Sequence, residues 1–89
     1  MSERYLLRVE KLAVKALDAL PQKVFKQVVL KLFALQGNPK PQDCKKLKGY
    51  PSGYRLDQGE YRTLYTLEEK EVRIFRIGKR NDDEVYRNL

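Results

Sequence analysis

An 89-residue chain that is 42% hydrophobic and 35% charged, with five Gly and four Pro, has room for a single domain, residues 1–89, and is composed like neither a disordered nor a low-complexity segment. Nineteen Lys and Arg against twelve Asp and Glu leave a formal charge of +7, which favours a polyanionic partner such as nucleic acid over an acidic metabolite. No run of about 18 apolar residues and no basic start followed by an apolar core points to membrane insertion or export, and a lone Cys44 with no His offers neither a disulfide nor a zinc site, so a cytoplasmic, reducing setting is expected.

"YLLRV" (5–9) reads as a short strand. "EKLAVKALDALP" sets Leu12, Ala16, Leu17 and Leu20 at helical spacing, and Pro21 both ends that helix and favours the start of the next. In "QKVFKQVVLKLFALQGNP" the apolar pairs Val24/Phe25, Val28/Val29 and Leu32/Phe33 recur every four residues, with Lys23, Lys26, Gln27 and Lys31 turned away. Gly37 and Asn38-Pro39 stop this second helix, which predicts a helical hairpin with one apolar face. A polar connection carrying Pro39, Pro41 and the cluster Lys45, Lys46 and Lys48 follows.

The period then changes from 3.6 to 2. "GYRLD", "EYRTLYTL" and "EVRIFRIG" read as three strands joined by short hairpin connections. In the first, Tyr54 and Leu56 oppose Arg55 and Asp57; in the second, Tyr61, Thr63, Tyr65 and Leu67 oppose Arg62, Leu64 and Thr66. Strict alternation in the third puts Val72 and Ile74 with Arg76, Gly78 and Arg80, and puts Arg73, Phe75 and Ile77 with Lys79. Apolar residues on both faces mark that strand for a position flanked on both sides, between the meander and the N-terminal strand. The fold expected is α+β, ordered β-α-α-β-β-β, with the helical hairpin on one face of a small, mainly antiparallel sheet and a short C-terminal helical turn.

If the helices cover one face, the other is free to bind. Arg55, Arg62 and Arg80 are compatible with that open face, and guanidiniums converging there without matching carboxylates repel one another unless an anionic ligand intervenes. That spacing points to a phosphate site, whereas ordinary ion pairs with Asp57, Glu60 and Glu84 are the competing reading. In "GKRNDDEVY", Gly78 is expected to let backbone approach the ligand and "NDDE" to turn the chain so that Tyr86 returns over the face; Asn81 and Asp82 capping a last helical turn is the simpler account. Tyr50, Tyr54, Tyr61 and Tyr65 read as core or rim residues rather than stacking platforms.

Taken together, "LKGYPSGYRL", "GEYRTLYTL" and "VRIFRIGKRNDDEVYR", behind a helical hairpin ending in "NP" and the "KKLKG" connection, resemble the RelE/ParE superfamily of toxins from toxin–antitoxin pairs, and within it the RelE branch. The resemblance implies a microbial-RNase-like fold and a ribosome-dependent endoribonuclease that cuts messenger RNA in the A site, leaving a 2′,3′-cyclic phosphate. By position it makes Arg62 the substrate-phosphate arginine, Arg80 the leaving-group arginine and Tyr86 the terminal tyrosine, with Arg55 the first of two basic residues on one strand. The second basic position, credited in the family with activating the attacking hydroxyl, is Asp57 here.

RNA cleavage of this kind requires loss of the 2′-hydroxyl proton, stabilisation of charge on phosphorus and protonation of the leaving 5′-oxygen. The sequence has no His and no acidic cluster resembling a magnesium or zinc site, so no metal or other cofactor is expected and arginine charge stabilisation carries much of the rate. Tyr86 is expected to orient the nucleophile, and the general base is left open between Lys48 and Asp57, with Lys48 ahead. Lys45, Lys46, Lys48, Arg76 and Lys79 are expected to contact RNA and ribosome. The implied partners are a cognate RelB-like antitoxin, messenger RNA and ribosomal RNA, with operator DNA reached only through the antitoxin and no membrane. The alternatives are a ParE-like inhibitor of DNA gyrase, against which Arg80 and Tyr86 together speak, and a non-catalytic basic domain binding nucleic acid or antitoxin.

Overall fold

The change of period near residue 45 is the change from helices to sheet in the computed structural model, which describes residues 4–80 and 84–86. Strand β1 (Leu6–Val9) leads into helix α1 (Lys11–Asp18) and helix α2 (Gln22–Leu35), with Pro21 at the turn between them accepting the Phe25 N–H at 2.8 Å. Both helices bury their apolar stripes on one side of the sheet. Ala13, Leu17, Val28, Leu32 and Leu35 pack against Leu56, Tyr65, Val72, Ile74 and Ile77 in a single cluster. Leu12, expected in the core, is exposed and Ala13 takes its place; of the paired positions on α2, Val28 and Leu32 face inward while Phe25 and Phe33 are exposed.

The sheet runs β1-β5-β4-β3-β2, with β1 parallel to β5 and every other pairing antiparallel. Strands β3 (Gly53–Gln58), β4 (Tyr61–Glu68) and β5 (Glu71–Lys79) form the meander, and β5 is flanked on both sides as its composition implies. The lysine connection adds a strand that alternation did not reveal: β2 (Lys45–Lys46), two residues long, pairs with β3 through Lys45↔Arg55 and Lys46↔Tyr54.

Alternation along β5 is broken, which corrects the strict face assignment. Leu64 pairs with Arg76 but Tyr65 pairs with Ile74, so Phe75 is the extra residue of a β-bulge. Beyond it the side-chain parity inverts. Ile77 therefore joins Val72 and Ile74 in the helix-side core, while Arg76 and Gly78 pair with Leu64 and Arg62, whose side chains point to the open face.

That open face is not bare. Leu47, Leu64 and Val85 are buried in a second cluster, with Tyr50, Phe75 and Tyr86 packed against it. Val85 and Tyr86 belong to a short 3₁₀ turn (Glu84–Tyr86), the described part of the expected C-terminal helical turn; Asn81 and Asp82, the expected caps, lie outside the described residues. Gly78 is what lets this turn seat: a Cβ there would stand 3.2 Å from the Val85 backbone N and Cα. The glycine admits the protein's own chain, not a ligand as expected.

Candidate functional site

The β3–β4 hairpin closes through Gly59, at φ 60°, and Glu60, and this register sets Asp57 directly opposite Arg62 on the open face. Across the next pairing Arg62 faces Gly78, whose missing side chain leaves room for the turn that delivers Tyr86. Three strands and the turn thus converge. Arg62 Nε donates to Asp57 Oδ1 at 2.6 Å and Nη2 to Oδ2 at 3.1 Å, a bidentate pair, while Nη1 donates to the Tyr86 hydroxyl at 2.8 Å. Arg80 Nη1 donates to the same Oδ2 at 3.2 Å, and its backbone N–H is held by the Glu60 carbonyl at 3.0 Å.

The guanidiniums therefore do have a matching carboxylate, Asp57, as the ion-pair reading of the sequence has it. Its two arginines are held unequally: the Arg62 side chain is 13% exposed, the Arg80 side chain 43%. The hydrogen bond from Arg62 holds the Asp57 carboxyl below its ordinary range, against a desolvation that acts the other way, and the charges of Arg62, Arg80 and Arg55 reinforce it. The reciprocal bond to Asp57 raises the Arg62 guanidinium, which stays charged at any working pH. A carboxylate so stabilised is a weak proton acceptor, which removes the physical basis for Asp57 as general base. The backbone at that point is tied as well: Lys31, expected to face away on α2, donates to the Asp57 carbonyl at 2.9 Å and to Asp43 Oδ2 at 3.2 Å.

Beside the arginine cluster lies a groove of about 330 Å³ lined by Lys46, Leu47, Lys48, Tyr50, Arg55 and Tyr86. Tyr86 borders both. Its ring lies 6.0 Å from the Arg62 guanidinium carbon and its hydroxyl accepts from Arg62, which leaves its own O–H to donate outward. Lys45 stands directly opposite Arg55 on the edge pair, so like charges face one another at the groove's border. Arg76 pairs with Leu64 on the same face and donates to the Phe75 carbonyl at 2.8 Å.

One of the expected contact residues lies elsewhere. Lys79 pairs with Tyr61 and lines a cleft with Ala16, Ala19 and Leu20 on the helix side, the face opposite to that of its neighbour Arg80. Lys46 lines the groove, and its Nζ sits 5.9 Å from the Tyr54 ring, with Lys40 at 5.4 Å from the same ring. Of the tyrosines, Tyr65 is fully buried, its hydroxyl donating to the Pro39 carbonyl at 2.8 Å, and burial pushes its phenol well up; Tyr50 packs at 5.8 Å on Phe75. The Asp57 pairing is one of the ion pairs the sequence suggests, and a two-residue hairpin loop with Asp and Arg on its flanks carries it.

No family model and no curated protein matches the chain. Solved structures do. The isolated RelE toxin of E. coli is 30% identical over 92% of this chain and 90% of its own, with a TM-score of 0.75. An arginine-to-alanine double mutant of the same toxin in the free state is 28% identical over 93% and 90%, with a TM-score of 0.79. A chain of the archaeal RelE–RelB complex from Pyrococcus horikoshii OT3 is 28% identical over 86% of this chain and 96% of that one, with a TM-score of 0.78. Matched nearly end to end in two helices and five strands, the chain belongs to the RelE-like branch of the RelE/ParE toxin superfamily.

Proposed function

We propose that this chain is the toxin of a toxin–antitoxin pair and that it cuts messenger RNA on the ribosome by attack of a 2′-hydroxyl on the adjoining phosphodiester. The observation that carries this reading is the meeting of Arg62, Arg80 and the Tyr86 hydroxyl on one open face, with Arg62 held from both sides by Asp57 and Tyr86. A guanidinium locked in this way is preorganised: it need not reorganise as charge develops on phosphorus, and one such donor contributes about a hundredfold to a thousandfold in rate.

In the reaction, the 2′-hydroxyl gives its proton to the base as its oxygen forms a bond to phosphorus, the bond to the 5′-oxygen breaks, that oxygen takes a proton from solvent, and the products are a 2′,3′-cyclic phosphate and a free 5′-hydroxyl. Arg62 and Arg80 stabilise the extra charge on the non-bridging oxygens, Arg80 from the leaving-group side. Tyr86, with its hydroxyl proton free to donate, orients the attacking ribose, and Arg55 and Lys45 hold the strand along the groove. Lys48, on the same groove wall, is the base we favour, a role that requires its neutral amine. The ribosome supplies what this acid/base set lacks, by holding the message close to in-line geometry. A RelB-like antitoxin is the partner we assign, as in the archaeal complex, and its acidic or amphipathic segments complement a chain of net charge +7.

Mapping messenger-RNA 5′ ends in a translating extract tests this. Codon-phased cuts should appear with the wild-type chain, fall by about a hundredfold or more with Arg80→Ala, and weaken with Tyr86→Phe. DNA breaks with intact messages would instead indicate a gyrase poison, and neither lesion a non-catalytic binder.

A further inference from the structure

The Asp57 carboxylate does what a substrate phosphate would do. It presents two oxygens to the edge of Arg62 and shares one of them with Arg80, at 2.6, 3.1 and 3.2 Å, and planar forks of this kind bind carboxylate and phosphate oxygens with the same two-point geometry. Any phosphodiester brought to these arginines must therefore compete with an anion already there. The competition is uneven. Arg62 is held by two contacts, contributes a third to Tyr86 and is largely covered, whereas Arg80 gives Asp57 one longer contact and is nearly half exposed. With one of its five N–H donors engaged by Asp57, Arg80 is the arm that can leave.

We propose that Asp57 is a resident anion that sets the RNA affinity of this site: it holds the phosphate's place between the two arginines, and RNA binds when Arg80 transfers from Asp57 to an incoming phosphate while Arg62 stays clamped. This rests on the reading of the open face as a phosphodiester site and deepens it. The consequence is selectivity by affinity. Free RNA, which offers only charge, meets a cluster already part-neutralised, while a message held in position by the ribosome supplies its phosphate at high effective concentration and wins the exchange. A basic residue at position 57 would have removed that threshold.

The test is binding of a short fluorescent single-stranded RNA with 2′-O-methyl riboses, which lacks the attacking hydroxyl, to the purified full chain across a range of KCl concentrations. Asp57→Asn should bind roughly fivefold more tightly at low salt, about the scale of one exposed ion pair. Its plot of log affinity against log salt should keep the wild-type slope, because Arg80 contacts the phosphate in both complexes. The double variant Asp57→Asn, Arg80→Ala should lose the gain in affinity. A merely structural role for Asp57 would not make that gain depend on Arg80. In the wild-type chain, the Arg80 Nε–H resonance should shift on RNA addition while that of Arg62 holds, a reading that survives even if Asp57→Asn fails to fold. Binding by the wild type with no tightening in the variant, or a shift confined to Arg62, overturns the exchange alone. No RNA binding by either chain overturns the phosphodiester reading with it.

Discussion

Asp57 accepts three hydrogen bonds from two guanidiniums, and that makes it at once a structural tie and a poor base. Because its folded-state carboxyl lies below the ordinary 3.8, its contribution to stability is fully present above that value and is lost as the pH falls through the lower, folded-state value. Asp57→Asn should therefore lower stability at neutral pH, by no more than about 1 kcal/mol because the pair is partly solvated and screened. The deficit should shrink as the buffer is acidified below about pH 4, read as converging urea midpoints of the two proteins. A constant gap across the acid range would mean that the tie acts through packing and not charge. This residue was half legible beforehand. Its identity as the odd acid in a basic position was plain, but its pairing depends on a hairpin register that puts positions 57 and 62 opposite, and only the closure at Gly59–Glu60 fixes that.

At the scale of elements, the decisive feature is the bulge at Phe75, which turns Phe75 and Arg76 to the open face in succession and returns Ile77 to the core. Period-2 reading recovered β3 and β4 because neither is interrupted. It recovered β5 and its flanked position but misassigned the faces beyond Phe75, because an inserted residue leaves no compositional mark, and the trace it left was apolar character on both faces, at Leu64 and Phe75. The purpose of that second apolar surface is to seat the turn carrying Tyr86 over Gly78. Gly78→Ala should therefore force the Val85 backbone away from a 3.2 Å contact, destabilising the protein by about 1–3 kcal/mol as overpacked sites do. The same displacement should weaken cleavage of messenger RNA at least as far as Tyr86→Phe, because the hydroxyl moves off Arg62. Urea denaturation and 5′-end mapping of the same preparation check both halves; full activity with lowered stability would separate the turn from the chemistry.

Across the whole molecule, one sheet separates a helix-side core from an open face that carries Lys45, Arg55, Arg62, Arg76 and Arg80, with Asp57 paired to Arg62 and Arg80, in a chain of net charge +7. Self-repulsion of that charge opposes compactness, so a polyanion bound only by the folded state should stabilise it. At an RNA concentration a hundredfold above Kd the linkage is about 2.7 kcal/mol, which for a domain of this size raises Tm by roughly 10–20 °C. The increase should come from one face. With non-cleavable RNA, Arg62→Ala and Arg80→Ala should lose most of the shift, while Lys23→Ala and Lys26→Ala, exposed on α2 on the far side of the sheet, should keep it. Raising the salt should erase it in every variant, since ion release drives the contact. Equal losses from both faces would identify the stabilisation as diffuse charge neutralisation, and the open face would then have no claim to be the RNA surface.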